Sequence, residues 1–128
     1  MVPTIKLDTA DFSPNSRFTL DNQRVIAVWG DKITSNPFRL NKGSYLVRVN
    51  AIGQAGGKAL PHLIASMNGQ RIGADSVAGA YQPSLFLYTA PSDTDTARIG
   101  LQLDNDYWDP VTHEDRNVFV KEIVFIKQ

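Results

Sequence analysis

Between residues 104 and 117 the chain reads DNDYWDPVTHEDRN. Asp104, Asn105, Asp106, Asp109, Glu114, Asp115 and Asn117 offer carboxylate or carboxamide oxygens there, with only His113 and Arg116 set against them. Hard cations such as calcium take about six to eight oxygens from carboxylates, carboxamides, backbone carbonyls and water, usually on a loop that curls around them. This density of oxygens suits that chemistry. It does not suit zinc, because the chain has no cysteine and its two histidines, His62 and His113, lie far apart in sequence. Nor is it an EF-hand loop, which needs a central glycine and a D-x-[DN]-x-[DN] start. A plainer reading competes: Asp and Asn bond their own backbone and tolerate left-handed conformations, so they are common in turns. Composition alone leaves the segment open between a polar turn and an ion-holding loop.

Two further features favour the loop with a function. Tyr107 and Trp108 sit at its centre, where burying both rings is difficult for a solvent-facing connection. An exposed aromatic pair beside carboxylates is expected to be a ligand platform, since flat rings offer apolar area at little rotamer cost. Arg116, lying between two acceptors, is expected to fold back as a guanidinium clamp that stiffens the loop. Asp109 before Pro110 reads equally as a turn starter and as a binding residue. His113 is expected to be a solvent-exposed loop residue.

The elements that must hold this loop read as strands. Apolar residues alternate at period two in SYLVRVNA (44–51) and ARIGLQLDND (97–106), and no helical spacing persists beyond a turn. NVFVKEIVFIKQ (117–128) is apolar on both parities and reads as a central strand covered on both faces. RVIAVW (24–29), LPHLIASMNG (60–69), QRIGADSV (70–77) and PSLFLYTA (83–90) complete the set, with Asn68-Gly69 as a two-residue hairpin turn. GQAGGKALP (53–61) reads as a loop whose backbone goes where side chains would clash, and APSDTDTA (90–97) as a polar loop. The expected fold is all-β: a two-sheet antiparallel sandwich, or jelly roll, formed by residues 1–128 as a single domain.

Whole-chain properties narrow the functional classes. Thirteen basic residues balance thirteen acidic ones, so no global field draws the protein to nucleic acid or an anionic membrane. No apolar run is long enough to span a bilayer, and the N-terminus lacks a core of signal-peptide length. The chain shows no G-x-S-x-G and no credible Ser-His-Asp set. An acidic loop by itself does not establish the paired carboxylates of a glycosidase.

GQAGGKALPHLIASMNGQRIG, then Tyr81, then LQLDNDYWDPVTHEDRNVFVKEIVF resembles the calcium-dependent carbohydrate-binding modules of families 36 and 60 and their xylan-binding relatives. The N-D and D-R-N elements carry most of it. The resemblance implies a jelly-roll sandwich, no catalysis, and a bound calcium whose open positions are filled by vicinal sugar hydroxyls. Asp106 and Asp115 would then be side-chain ligands, with a backbone carbonyl near Glu114 or Trp108 as a further one. Tyr107 and Trp108 would meet the sugar, with Gln54, Tyr81 and Asp109 as further ligand-binding candidates, and Arg116 and Asn117 would support the loop. Departures include Lys121, where relatives often carry an acid, and Leu60 before Pro61, where they often carry an aromatic.

The expected partner is a polysaccharide or oligosaccharide of xylan-like type, reached as a monomer tethered to a catalytic domain, outside the cell or at its surface. The alternative is a structural or adhesive sandwich in which calcium only rigidifies residues 105–117.

Overall fold

The computed structural model describes residues 4–12, 18–20, 23–28, 32–79 and 82–128. Trp29 and Tyr81 lie outside them. One sheet is built around the C-terminal strand β13 (Asp115–Lys127) and runs β2 (Phe18–Leu20), β3 (Gln23–Val28), β13, β6 (Gly43–Gln54), β9 (Gln82–Ala90). Two shorter strands, β1 (Thr4–Leu7) and β12 (Tyr107–Trp108), also pair with β13. The facing sheet runs β4 (Ile33–Thr34), β11 (Ile99–Leu103), β7 (His62–Met67), β8 (Gln70–Ser76), and β5 (Phe38–Leu40) pairs with β10 (Thr94–Ala97). Every pairing is antiparallel. The fold is the expected two-sheet β-sandwich.

The alternation read from the sequence is the alternation that is buried. On β6, Tyr45, Val47, Val49 and Ala51 face the core, while Leu46, Arg48 and Asn50 are half-buried on the outer face. On β11, Ile99, Leu101 and Leu103 meet Leu63, Ala65 and Met67 of β7 in the same core. The Asn68-Gly69 turn joins β7 to β8 with positive φ at both residues, 51° and 85°, as a two-residue hairpin requires.

Strand β13 is covered on both faces, though not by the parity a straight reading suggests. Val118, Val120, Ile123 and Phe125 enter the main core, whereas Phe119 packs outside with Val25, Ala27 and Ile52. The register against β6 slips between Val120 and Glu122, so Lys121 is an extra residue. A bulge of this kind inverts the facing of everything beyond it, and Val124 and Ile126 therefore leave the set begun by Val118 and Val120. A second difference concerns residues 90–97. Their polar composition reads as a loop, yet Thr94–Ala97 forms strand β10, anchored by buried Ala97 and by Asp95, whose Oδ1 lies 3.1 Å from Arg39 Nη1 across the ladder.

At the bulge, Glu122 Oε2 lies 2.9 Å from Lys6 Nζ and its Oε1 accepts a hydrogen bond from Asn50 Nδ2 at 2.7 Å. The bond from Lys6 lowers the carboxyl's pKa, Asn50 adds to this, and partial burial opposes it. A depressed acid contributes stability that is present above its unfolded pKa and lost as pH falls through the folded value. The variant Glu122→Gln should be less stable than wild type at pH 7. In denaturant titrations across pH the gap should close below pH of about 4.

Candidate ligand site at the 104–117 hairpin

The polar segment is a hairpin with a tightly bonded turn. Tyr107 pairs with Arg116, and Trp108 with Asp115. Asp109 N donates to Glu114 O at 2.9 Å and His113 N to Asp109 O at 2.7 Å. Asp109 Oδ1 accepts from Val111 N at 2.8 Å, and that backbone bond is the main reason its pKa falls below the usual carboxylate value. Its other oxygen accepts weakly from the Tyr107 hydroxyl at 3.4 Å. Burial first, then the charge of Asp109, raises the Tyr107 pKa. Asp109 thus starts the turn. His113 takes the left-handed backbone conformation, φ 61°, and its ring lies 5.8 Å from that of Trp108.

Both ends of the hairpin are tied to the glycine-rich loop that follows β6. Asn105 Oδ1 accepts from His62 N at 2.8 Å and its Nδ2 donates to Leu60 O at 3.0 Å, while His62 Nδ1 lies 2.7 Å from Asp104 Oδ1. Glu114 Oε2 accepts from Gly57 N at 2.7 Å. Arg116 is the clamp anticipated from its position: 8% exposed, it donates from Nε to Gly56 O at 3.0 Å, from Nη2 to the same oxygen, and from Nη1 to Asn105 O. Its guanidinium carbon stands 5.0 Å from the centre of the Tyr107 ring. A Cβ on Gly57, whose φ is 60°, would lie 2.9 Å from Tyr107 Cζ and 3.0 Å from Arg116 Nη2. That close approach is why the loop carries glycine.

Strand alternation then sorts the predicted residues onto two faces. Tyr107 and Arg116 go together against the Gly56-Gly57 loop, so Tyr107 is half-buried rather than half of an exposed aromatic pair. The expectation of a two-ring platform is corrected here: adjacent residues on a strand cannot share a face. Trp108, 57% exposed, stands on the other side with its cross-strand partner Asp115, and Asn117 and its partner Gln54 follow two residues on. Gln54 is exposed, but its Oε1 already accepts from Asn117 Nδ2 at 2.8 Å, so the Nε2 group is what remains for a ligand. Glu114 is likewise occupied, its carbonyl by Asp109 N and its carboxylate by Gly57 N. The hydrogen-bonded Asp109–Glu114 pair makes the neighbouring Trp108–Asp115 pair the non-hydrogen-bonded kind, so the Trp108 carbonyl turns away from β13. Sequence reasoning missed the tethers made by Asn105 and His62, which join segments more than forty residues apart.

Oxygen chemistry at this face is largely unspent. Among the described residues, Asp106 Oδ1 accepts only from its neighbour Tyr107 N at 2.9 Å, no hydrogen bond engages the Asp115 carboxylate, and Asn117 Oδ1 is buried without a partner. Among the described residues no three of His, Cys, Asp and Glu converge as a metal-holding group. Carboxylate and carboxamide oxygens of this kind are the donor types that a hard cation takes.

The family model for Ca-dependent, xylan-binding carbohydrate-binding modules, CBM60, matches residues 46–127. The chain belongs to this family. No curated protein matches it. In fold, the CBM60 chain is similar to the C-terminal CBM6 of LamC, a marine laminarinase from Zobellia galactanivorans, with TM-score 0.66 and 10% identity over 98% of this chain and 100% of that one. It is similar also to a CBM36 module in complex with calcium and xylotriose, TM-score 0.62 and 15% identity over 94% and 98% of the two chains. A third likeness is the CBM36-1 domain of a multidomain xylanase from the hindgut metagenome of Trinervitermes trinervoides, TM-score 0.61 and 13% identity over 96% of each chain. The matched region of the CBM60 chain contains the whole hairpin and the glycine-rich loop that braces it.

Replacing Arg116 by lysine should destabilise the domain by about 1–3 kcal/mol, because one ammonium cannot serve carbonyls on two separate segments. Gly57→Ala should destabilise it through the Tyr107 ring and its backbone angle. Urea titration of both variants checks this, with loss of Tyr107 packing read from near-UV circular dichroism.

Proposed function

We propose that this xylan-binding type module takes its polysaccharide through a calcium ion held at the outward face of the 104–117 hairpin. The observation that carries the reading is the unpaired Asp115 carboxylate beside exposed Trp108, with the neighbouring Arg116 charge turned to the opposite face. Asp106 lies two residues from Trp108, one strand period away, and adds the second carboxylate. Together the two balance a divalent charge. The Trp108 carbonyl, directed away from β13, suits a further neutral donor, and Glu114, with its carbonyl already accepting, is the weaker of the two carbonyl candidates. Bound there, calcium supplies open coordination positions for neutral hydroxyl oxygens, and a xylose unit carries vicinal hydroxyls. The CBM36 relative in complex with calcium and xylotriose supports this chemistry.

The protein's own residues hold and orient. Trp108 offers a ring to a sugar face, apolar area that little rotamer entropy opposes. Gln54 Nε2, left free by the bond its oxygen receives, is placed to donate to a sugar oxygen. Tyr107 acts from beneath, through Arg116 and Gly57, rather than by touching sugar. Sites of this size bind weakly alone, so attachment to an enzyme acts through effective concentration. The CBM36-1 relative comes from a multidomain xylanase, and we place this module likewise as a monomer in a secreted, carbohydrate-active parent protein.

Calorimetry with xylohexaose should show binding in calcium and none after chelation. Calcium at about a hundred times its Kd should raise stability by about 2.7 kcal/mol. Asp115→Asn should abolish calcium-dependent binding with the fold retained, and Trp108→Ala should weaken it about tenfold, near 1.4 kcal/mol. Tyr107→Phe should bind glycan as wild type does. Calcium-dependent melting without any glycan binding would instead establish a purely structural ion, and equal binding with and without calcium would remove the ion from recognition.

A further inference from the structure

Asn117 is 4% exposed, and its two ends are treated differently. Nδ2 donates to Gln54 Oε1 at 2.8 Å, whereas Oδ1 is buried with no hydrogen-bond partner. A buried acceptor left unpaired costs about 1–3 kcal/mol, and folded proteins seldom keep one without a donor, a water or an ion to meet it. In this arrangement the bond to Gln54 leaves the oxygen as the unmet end. Turning the Asn117 amide over would set its oxygen against the oxygen of Gln54.

The position of that oxygen follows from the strand. Asn117 lies two residues from Asp115 on β13, so both side chains leave the same face, while Arg116 between them leaves the other. The Arg116 guanidinium is consumed by the carbonyls of Gly56 and Asn105, so it does not compete for Asn117 Oδ1. Oxygens on alternate residues are how a chain commonly presents donors to one hard cation. Resting on the proposed calcium site, we propose that the Asn117 carboxamide oxygen is a third side-chain donor to the cation held by Asp106 and Asp115, and not a support of the loop alone. Two carboxylates match the charge of a divalent ion. A neutral oxygen then adds a bond without adding charge, and because Gln54 already holds the amide, little freedom is lost when the ion arrives.

The test uses calcium alone, without glycan. Isothermal titration and competition against terbium luminescence should give Asn117→Leu, which keeps the volume and removes the oxygen, a calcium affinity at least about tenfold below wild type. Its far-UV circular dichroism in chelator should be unchanged. Wild-type affinity in that variant overturns the assignment. Wild-type protein labelled with 13C gives a second readout that does not depend on the folding of the leucine variant: on calcium saturation the Asn117 side-chain carbonyl resonance should shift well beyond those of Asn41 and Asn68, which lie on other strands' turns. Calcium uptake with that resonance unmoved overturns the role of Asn117 and leaves the proposed function standing. A wild type that takes up no calcium overturns both.

Discussion

The hairpin depends on one guanidinium. Arg116 is buried at the start of β13 and joins the carbonyl of Gly56 to that of Asn105, so three chain segments meet on one side chain. A charged fork bonded to neutral carbonyls in a buried place is stronger than the same bonds in water, and expensive to lose. Everything near it is arranged around that group. Glycine is required at residue 57 so that the loop can approach, and Tyr107 lays its ring over the cation. The carboxylate of Glu114 closes the same loop from the other side through Gly57 N.

The same geometry separates charge. Asp115 and Arg116 are neighbours in sequence, and in a turn or helix they would partly neutralise each other. On a strand they leave opposite faces. Asp115 therefore keeps an unshared carboxylate beside Trp108 while the positive charge works inside the fold. Asp106 and Asn117 belong to the carboxylate's side of this division in the proposed site, and Tyr107 to the arginine's.

Most of the architecture was legible because the core is written in period two. β6 and β11 fall where the alternation put them, β7 and β9 overlap the further short strands read from the sequence, and Asn68-Gly69 turns as its residue types require. The clamp was legible for a similar reason: an arginine among acceptors has few other uses. What escaped was long-range or out of phase. The ladder of β10 needs a partner, Arg39, that lies far away in sequence, and nothing in TDTA announces it. That Tyr107 and Trp108 stand on opposite faces was hidden because residues 107–108 read as loop and not as strand. The turn DPVTHE is closed by Asp109 N bonding to Glu114 O, a backbone pairing that the residue types do not announce.

Lys121 gives β13 two independent phases. Ahead of the bulge, Val118 and Val120 point to the core and the odd-numbered residues face out; past it, Ile123 and Phe125 take over the core. A single extra residue thus works as a phase shifter between two stretches of one strand. The far half can be set entirely by the packing needs of the sandwich, and the near half by what must stand beside Trp108. Neither half has to compromise its pattern for the other, although both belong to one continuous strand.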